Sequence, residues 1–215
     1  THSLQAYLDC ATNLFGGNVS GSSPYNGEAK VLNGMTYMVW NMAEATNDLL
    51  GAGAQAHSGA GQQDIYIAVV DENCVQTIGT YSGGSGLELA DALVVNDDGT
   101  FFISGYTESS NFPTTNGSSS TFTGTPFIQK YAADGSLIYS TILDVENTKF
   151  DYMEIISDGI NAYLVFETGT DAATIANFTT DGTDGGGAAS VVAVKLDATG
   201  NVVYASSVGG TEDEE

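Results

Sequence analysis

Three asparagines stand in the Asn-X-Ser/Thr pattern that accepts N-linked glycans. They are Asn18, Asn116 and Asn177. Asn116 and Asn177 lie in long polar stretches, where a bulky hydrophilic sugar is sterically tolerated. Chance is the competing explanation, because a chain rich in Asn, Ser and Thr produces such triplets without any modification.

The two cysteines, Cys10 and Cys74, are candidates for a disulfide. Each closely follows an aspartate, Asp9 or Asp71, at the end of a predicted strand. An even number of cysteines in a secreted chain favours pairing. Two free thiols are the alternative, since the sequence does not show that the two residues are close.

Two short turns concentrate oxygen ligands of the kind that calcium prefers. They are residues 96–99, Asn-Asp-Asp-Gly, and residues 181–184, Asp-Gly-Thr-Asp. Neither has the spacing of a calcium loop with a distal bidentate glutamate, and Asp-Gly is also a common hairpin turn. We therefore expect structural turns and no cofactor, with calcium as the one candidate metal.

Side chains suited to catalysis are scarce. The two histidines, His2 and His57, belong to no recognisable triad or metal pair, and the chain has no arginine to clamp an anionic substrate. Acidic side chains are plentiful, so a polysaccharide-degrading enzyme with paired carboxylates is a third, weaker interpretation. No two of the 27 acidic residues stand out, and we predict that the chain is not an enzyme.

The net charge of −23 restricts the partners of the chain. It repels nucleic acid phosphates and anionic lipid heads, so we expect neither as a partner. No run of about 18 apolar residues is present, so membrane insertion is not expected. An acidic chain without arginine fits an extracellular protein, although solubility alone explains the composition equally well.

Aromatic residues divide into two groups. Tyr106, Phe112 and Phe122 lie in or beside a loop, which makes them candidates for a sugar-stacking platform. The others fall in predicted strands, where we expect packing between neighbouring sheets. They are Tyr37, Trp40, Phe101, Phe102, Tyr163 and Phe166.

A sequence pattern that recurs about three times indicates which structural elements position these residues. Two segments recur in step, roughly sixty residues apart. The first occupies residues 36–40, 100–104 and 162–166, and the second occupies residues 66–71, 127–132 and 193–197. Such a period indicates one supersecondary unit that is copied and stacked.

Each copy contains two predicted β-hairpins. In the middle copy, residues 91–95 and 100–105 flank the turn at 96–99, and residues 126–131 and 136–141 flank a second Asp-Gly turn. Asp-Gly between β-branched and aromatic runs is a strong hairpin signal. We therefore predict an all-β chain of four-stranded antiparallel blades of the β-propeller type. The expected divisions are an N-terminal half-unit with a linker at 1–27 and repeats at 28–90, 91–152 and 153–215.

Long variable stretches join the two hairpins of each copy, at Ala45–Gln63, Glu108–Gly124 and Gly169–Ala189. Variable loops on a repeated scaffold are the usual place for binding.

A family resemblance supports this interpretation. The motifs that carry it are GGSG (83–86), DALVVNDDG (91–99), FISGYT (102–107), NFPTT (111–115), FIQKY (127–131), GSLIYST (135–141), VAVKLD (192–197) and GNVVY (200–204). These motifs resemble the bacterial SBBP-type β-propeller repeat. The resemblance implies a secreted or surface scaffold without a shared catalytic motif.

The hairpins add up to about three and a half units, because the chain opens with a hairpin at Leu4 to about Phe15 and closes with one at Val191–Val208. A closed propeller needs about 4–8 blades. Open ends are therefore expected, and an unpaired strand edge is a template for another chain.

We accordingly expect an extracellular or cell-surface structural scaffold. It would be a homo-oligomer, the subunit of a fibre or filament that self-associates head to tail through unpaired terminal hairpins. The alternative is an adhesion module that binds carbohydrate or protein through the variable loops.

Overall fold

The computed structural model describes residues 27–42, 63–119, 124–145, 153–168, 178–180 and 190–209. Every regular element within these residues is a β-strand. No helix long and apolar enough to cross a membrane occurs among them.

The strands form three sheets in chain order. Sheet 1 contains β1 (Glu28–Leu32), β2 (Met35–Met42), β3 (Asp64–Val70) and β4 (Gln76–Ser82). Sheet 2 contains β5 (Glu88–Val95), β6 (Phe101–Thr107), β7 (Thr125–Tyr131) and β8 (Leu137–Ile142). Sheet 3 contains β9 (Met153–Ser157), β10 (Ala162–Thr168), β11 (Phe178–Thr180), β12 (Ser190–Leu196) and β13 (Val202–Gly209).

Sheets 1 and 2 are four-stranded antiparallel meanders, in which each strand pairs with the next along the chain. Sheet 3 repeats that order with β9, β10, β12 and β13, and the short β11 joins it in parallel to β13. The predicted all-β class and the four-stranded antiparallel units are therefore confirmed. The short parallel strand was not predicted.

The sheets share a register. One row of directly paired residues crosses the second, third and fourth antiparallel strands of each sheet. The row is Tyr37–Val69–Ile78 in sheet 1, Phe102–Lys130–Tyr139 in sheet 2 and Tyr163–Lys195–Tyr204 in sheet 3. Each row is followed by a β-bulge, at Val69/Val70, Lys130/Tyr131 and Lys195/Leu196.

These rows correct the alignment of the first repeated segment. The sequence pattern aligned Tyr37 of the first copy with Phe101 of the middle copy. The strand register shows instead that Phe102 is the residue equivalent to Tyr37. Successive strand residues point to opposite faces, so a slip of one residue exchanges the faces. Phe101 points back toward sheet 1, where its ring meets that of Tyr37 with 5.5 Å between centroids.

The sheets pack face to face along the chain. We define the front face of a sheet as the side that points toward the next sheet, and the back face as the opposite side. Tyr37 and Ile67 on the front of sheet 1 share a buried apolar cluster with Phe101 and Phe127 on the back of sheet 2. A second cluster joins the front of sheet 2 to the back of sheet 3 and includes Phe102, Ile128, Tyr139, Leu164, Phe166 and Val194.

The C-terminal hairpin is not the open edge that the hairpin count predicted. Its strand β12 pairs with β10 along the full length of that strand, and β13 pairs with β11 over Ala205–Ser207. The prediction of a terminal hairpin without a mate is therefore wrong at β12 and β13. The hairpin predicted near Leu4–Phe15 lies outside the described residues.

Candidate functional site

Two of the three loop aromatics are buried, so they do not present their rings to solvent as expected. The hydroxyl of Tyr106 donates to Glu108 Oε1 at 3.0 Å, and a Cβ added to Gly124 would fall 2.2 Å from that hydroxyl. The ring of Phe112 lies against that of Phe127, with 4.7 Å between centroids. Both belong to the apolar packing of sheet 2, and Phe122 lies outside the described residues.

The sequon at Asn116 is exposed, but its amide group is engaged. Asn116 Nδ2 donates to Thr141 Oγ1 at 3.0 Å and to the Gly200 carbonyl at 3.2 Å. A glycan would be attached to that nitrogen, so modification would have to displace a contact between sheets 2 and 3. Asn18 and Asn177 lie outside the described residues, and glycosylation stays a prediction.

The turn at 96–99 has the hydrogen bonds of a structural hairpin turn. Asp98 Oδ1 accepts from the Thr100 hydroxyl at 2.6 Å and from the Thr100 amide at 2.9 Å. These bonds hold the pKa of Asp98 below its ordinary value. Asp134, which also directly precedes a turn glycine, accepts the equivalent bond in the second turn of sheet 2. In the second turn of sheet 3, Asp197 accepts from the Thr199 hydroxyl but stands at the first position of the turn.

Among the described residues, no group of three or more His, Cys, Asp or Glu side chains is arranged to hold a metal ion. The other candidate calcium turn, residues 181–184, lies outside them. Calcium binding stays a prediction.

Cys74 follows β3 in a tight turn and has a φ of 62°. It is disulfide-bonded. The chain contains one other cysteine, Cys10, which lies outside the described residues. The pairing of the two therefore stays a prediction.

A buried pair of carboxylates at the junction of sheets 1 and 2 was not singled out in the sequence. Asp64 begins β3 and Glu88 begins β5, and neither is accessible to solvent. Glu88 accepts from Thr107 Oγ1 at 2.6 Å and from the Gly84 amide at 2.9 Å. A Cβ on Gly83 would fall 2.3 Å from Asp64 Oδ1 and 2.8 Å from Glu88 Oε2, so both carboxylates approach the same glycine.

Burial raises the pKa of Glu88 above its ordinary value, and the nearby Asp64 raises it further. Hydrogen bonds from Ser109, Thr107 and the Gly84 amide oppose that rise. Asp64 belongs to sheet 1 and Glu88 to sheet 2, so the pair lies where the two sheets meet. Because neither side chain is accessible to solvent, the pair offers no access to a substrate. Its sequence signal is a glutamate inside the apolar run Leu-Glu-Leu-Ala at 87–90.

The front face of sheet 3 is exposed, in contrast to the front faces of sheets 1 and 2. It is formed by Ile156, Tyr163, Val165, Ala193, Lys195 and Tyr204. Exposure reaches 64% at Ile156, 42% at Val165 and 47% at Tyr204. Glu154, Glu167 and Ser206 lie on the same side and surround these residues with polar groups.

The equivalent residues of the other two sheets are covered. Tyr204 corresponds to Tyr139 in sheet 2, which is 2% exposed, and to Ile78 in sheet 1, which is 7% exposed. In both cases a turn glycine of the next sheet provides the cover. A Cβ on Gly200 would fall 2.6 Å from the Tyr139 ring, and one on Gly135 would fall 2.7 Å from Ile78.

Polar contacts reinforce this packing between sheets 2 and 3. Lys130 Nζ lies 4.8 Å from the centroid of the Phe102 ring and donates to the Ile160 carbonyl of sheet 3 at 3.2 Å. Thr141 Oγ1 donates to the Gly200 carbonyl, also in sheet 3, at 2.7 Å. The backbone turns of one sheet are therefore bound by side chains on the front of the preceding sheet.

The front face of sheet 3 carries the same types of donor. Lys195 Nζ lies 5.1 Å from the centroid of the Tyr163 ring, as Lys130 lies over Phe102. Ser206 occupies the register position of Thr141. The face thus combines apolar side chains with a cation and a hydroxyl, and it can bind a surface that presents backbone carbonyls.

No family model matches this sequence, and no curated protein matches it significantly. The resemblance to the SBBP-type repeat accordingly stays a prediction.

Proposed function

We propose that the chain is a self-associating structural subunit of an extracellular or cell-surface assembly, and that it has no catalytic role. One observation carries the proposal. The front faces of sheets 1 and 2 are each buried by the next sheet, whereas the equivalent face of sheet 3 is exposed to solvent. A subunit of this design gains stability when another unit covers its last sheet.

The energetics favour a contact at this face. Full burial of a Val or Ile side chain contributes about 1.5–3 kcal/mol relative to full exposure. Ile156, Val165 and Tyr204 are each roughly half exposed or more and lie on one side of one sheet. Clustered apolar side chains within a polar margin are typical of protein–protein interfaces.

The proposal includes a propeller-type arrangement of the sheets. The first strands of successive sheets are neighbours, since β1 contacts β5 and β5 contacts β9. In a propeller the first strands of successive blades lie next to one another around a central axis. Three described sheets are fewer than the roughly 4–8 blades of a closed ring, so the proposed assembly continues the series between subunits.

Two features support an extracellular location. Cys74 is disulfide-bonded, and disulfides persist in oxidising compartments. The net charge of −23, with no arginine, favours solubility, as a protein that works outside the cell requires.

Sedimentation velocity over a hundredfold range of protein concentration, followed by electron microscopy, tests the proposal. Measurements in about 0.5 M salt shorten the range of the repulsion between the acidic subunits. We expect the weight-average mass to rise with concentration and to give rings or filaments of stacked units. A monomer at every concentration and salt condition would refute self-association.

The adhesion alternative has less support. Tyr106 and Phe112 are packed in sheet 2, so two of the three rings proposed to stack on sugars are covered. Saturable binding of a glycan by the monomer, with no assembly, would favour adhesion over the structural role.

A further inference from the structure

We propose that the back face of sheet 1 binds a segment of this same chain, residues 1–26, and that a disulfide between Cys10 and Cys74 holds the segment there. These residues precede β1 and lie outside the described part of the chain. The proposed contact lies within one molecule, so it does not depend on the self-association proposed above.

The back face of sheet 1 carries a cluster of large apolar side chains that are buried within a single chain. Trp40 is 6% exposed, and Tyr66 and Tyr81, whose ring centroids are 4.9 Å apart, are 0% and 1% exposed. The described members are Met38, Trp40, Tyr66, Ala68, Val70 and Tyr81, with Ala29, Met42 and Cys74 partly buried beside them. All of these belong to sheet 1 or to the turn that follows β3. Because a sheet must bury its apolar face against another element, the cover comes from a part of the chain beyond the described ranges.

The packing order of the sheets indicates which part of the chain this is. The back of sheet 2 is covered by sheet 1, and the back of sheet 3 is covered by sheet 2. In both contacts the covering residues precede the covered sheet in the sequence. The residues that precede sheet 1 are 1–27, and they contain the hairpin predicted near Leu4–Phe15.

The described chain also begins against this cluster. Gly27, the first described residue, has a φ of 83°, which glycine adopts readily. A Cβ added to Gly27 would fall 3.0 Å from Trp40 Cδ1. Residues 1–26 are therefore bonded directly to a residue that lies beside the Trp40 side chain.

Cys74 provides a second point of attachment. It packs against the cluster and follows Val70, the last residue of β3, whereas Trp40 pairs with Tyr66 four residues earlier in that strand. Four residues of a strand span about 13 Å. Cys74 is disulfide-bonded, and Cys10 is the other cysteine of the chain. With that pairing, residues 11–26 would connect two points about 13 Å apart on one face, a distance that they reach easily.

The connection between β2 and β3, residues 43–62, is the other candidate for the cover. In sheet 2 the equivalent connection contributes one ring, since Phe112 lies against Phe127 at the back of that sheet. Residues 43–62 contain no Phe, Tyr or Trp, whereas residues 1–26 contain Tyr7, Phe15 and Tyr25. A face built from one tryptophan and two tyrosines therefore favours residues 1–26, because aromatic rings contribute much of the contact area in protein cores.

Photo-crosslinking of the full chain tests the inference without a destabilising substitution. A diazirine analogue of methionine is incorporated in place of the natural residue, and on irradiation it bonds to whatever it touches. Met38 is 1% exposed on the back of sheet 1, and Met153, 7% exposed on the back of sheet 3, is the matched control. We expect mass spectrometry to find Met38 bonded to residues 1–26 and Met153 bonded to sheet 2. A digest of the non-reduced chain should contain a peptide pair that joins Cys10 to Cys74.

Several results would overturn the inference. Bonds from Met38 to residues 43–62, to residues after 209 or to a second molecule would assign the cover elsewhere. Bonds confined to sheet 1, in a sample where Met153 reacts as expected, would show that residues 1–26 do not lie on this face. A disulfide between the Cys74 residues of two molecules would remove the proposed attachment.

Trp40 is the only tryptophan in the chain, so its fluorescence reports whether the face is covered. Leu8→Asp introduces a charge into the proposed cover, and Leu50→Asp introduces the same charge into residues 43–62. We expect acrylamide to quench Trp40 severalfold faster in Leu8→Asp than in wild type, and equally in Leu50→Asp and wild type, because a buried charge is costly. Both variants should retain their far-ultraviolet circular dichroism. The reverse pattern would contradict the inference, and the crosslinks decide if Leu8→Asp does not fold.

Discussion

Sheets 2 and 3 share a strand order, a register and a bulge, but they differ in what covers them. Every residue of β6 and β7 is buried, because sheet 2 lies between sheets 1 and 3. In β10 of sheet 3, buried residues alternate with more exposed ones. The same arrangement of strands therefore occurs in a sheet that is buried between two others and in a sheet with one exposed face. The side chains on the front face indicate whether that face is covered.

The residues that differ between the front faces of sheets 2 and 3 match the difference in what covers them. Ala193 stands where sheet 2 has Ile128, Glu154 stands where it has Ala92, and Glu167 stands where it has Tyr106. Tyr163, Lys195 and Tyr204 keep an aromatic, a lysine and a tyrosine in the positions of the central row. The face of sheet 3 thus keeps the centre of an inter-sheet contact and gains acidic groups around it, which is consistent with the self-association proposed above.

The largest contrast is expected when a charge is introduced at Ile128 of sheet 2 or at Ala193, the equivalent position of sheet 3. Ile128→Asp would bury an unpaired carboxylate between sheets and should cost more than about 4 kcal/mol, enough to unfold the chain. Ala193→Asp places the same charge at an exposed position and should change the stability of the monomer by less than about 1 kcal/mol. Urea unfolding monitored by circular dichroism measures both values. Similar losses in the two variants would show that sheet 3 is covered in solution.

The next contrast is the loss of a ring at Tyr139 or Tyr204. Tyr139→Ala should destabilise the monomer by about 3–5 kcal/mol because it leaves a cavity between sheets 2 and 3. Tyr204→Ala should cost less than about 1 kcal/mol at concentrations where the chain is monomeric. Thermal unfolding of dilute samples would reveal the difference as a large change in melting temperature for Tyr139→Ala only.

Tyr139→Phe is the control for that experiment. Within the described residues the buried Tyr139 hydroxyl has no hydrogen-bond partner. Removing only the hydroxyl should therefore leave stability unchanged or raise it. A loss as large as that of Tyr139→Ala would show that the hydroxyl, and not the ring, holds the contact.

A smaller contrast is expected at the two lysines. Lys130→Met keeps the length of the side chain but leaves the Ile160 carbonyl without its donor, and should cost about 1–2 kcal/mol. Lys195→Met removes a cation that lies over Tyr163 on an exposed face, so its effect on the monomer should stay within about 0.5 kcal/mol. Chemical denaturation of both variants in parallel provides the comparison, and equal costs would contradict it.

The smallest expected effect is a pH dependence of stability that arises from Glu88, the buried carboxylate between sheets 1 and 2. The pKa of Glu88 is raised in the folded chain, so its contribution to stability is complete below the ordinary glutamate pKa of about 4.3. That contribution declines as the pH rises through the higher folded value. The stability of wild type relative to Glu88→Gln should therefore fall as the pH rises above the ordinary glutamate pKa. Glu154→Gln, on the exposed face, controls for the loss of one negative charge.

Much of the local structure could be predicted from the sequence. The Asp-Gly turns at 96–99 and 133–135, with β-branched and aromatic residues on either side, located the hairpins of sheet 2 at β5–β8. The hairpin signal was sufficient because the turn and the strands depend on neighbouring residues.

The faces could not be predicted in the same way. In the middle copy the Phe-Phe pair at 101–102 allows two alignments with Tyr37, and only the register between strands distinguishes them. The burial of Tyr106 and Phe112 depends on contacts with distant residues such as Phe127, which a local pattern does not contain. The exposed face of sheet 3 was missed for the same reason, although the glutamates at 154 and 167 in predicted strands were a signal for it.

The strand β11 has a consequence for the dimensions of any assembly. By lying parallel to β13 over Ala205–Ser207, it occupies backbone groups that would otherwise be free to recruit a strand from a neighbouring molecule. Sideways growth of the kind that leads to amyloid is blocked along that stretch. In the proposed assembly, subunits would then join through side chains on the front of sheet 3, and strand addition along β13 would not compete with that contact over Ala205–Ser207.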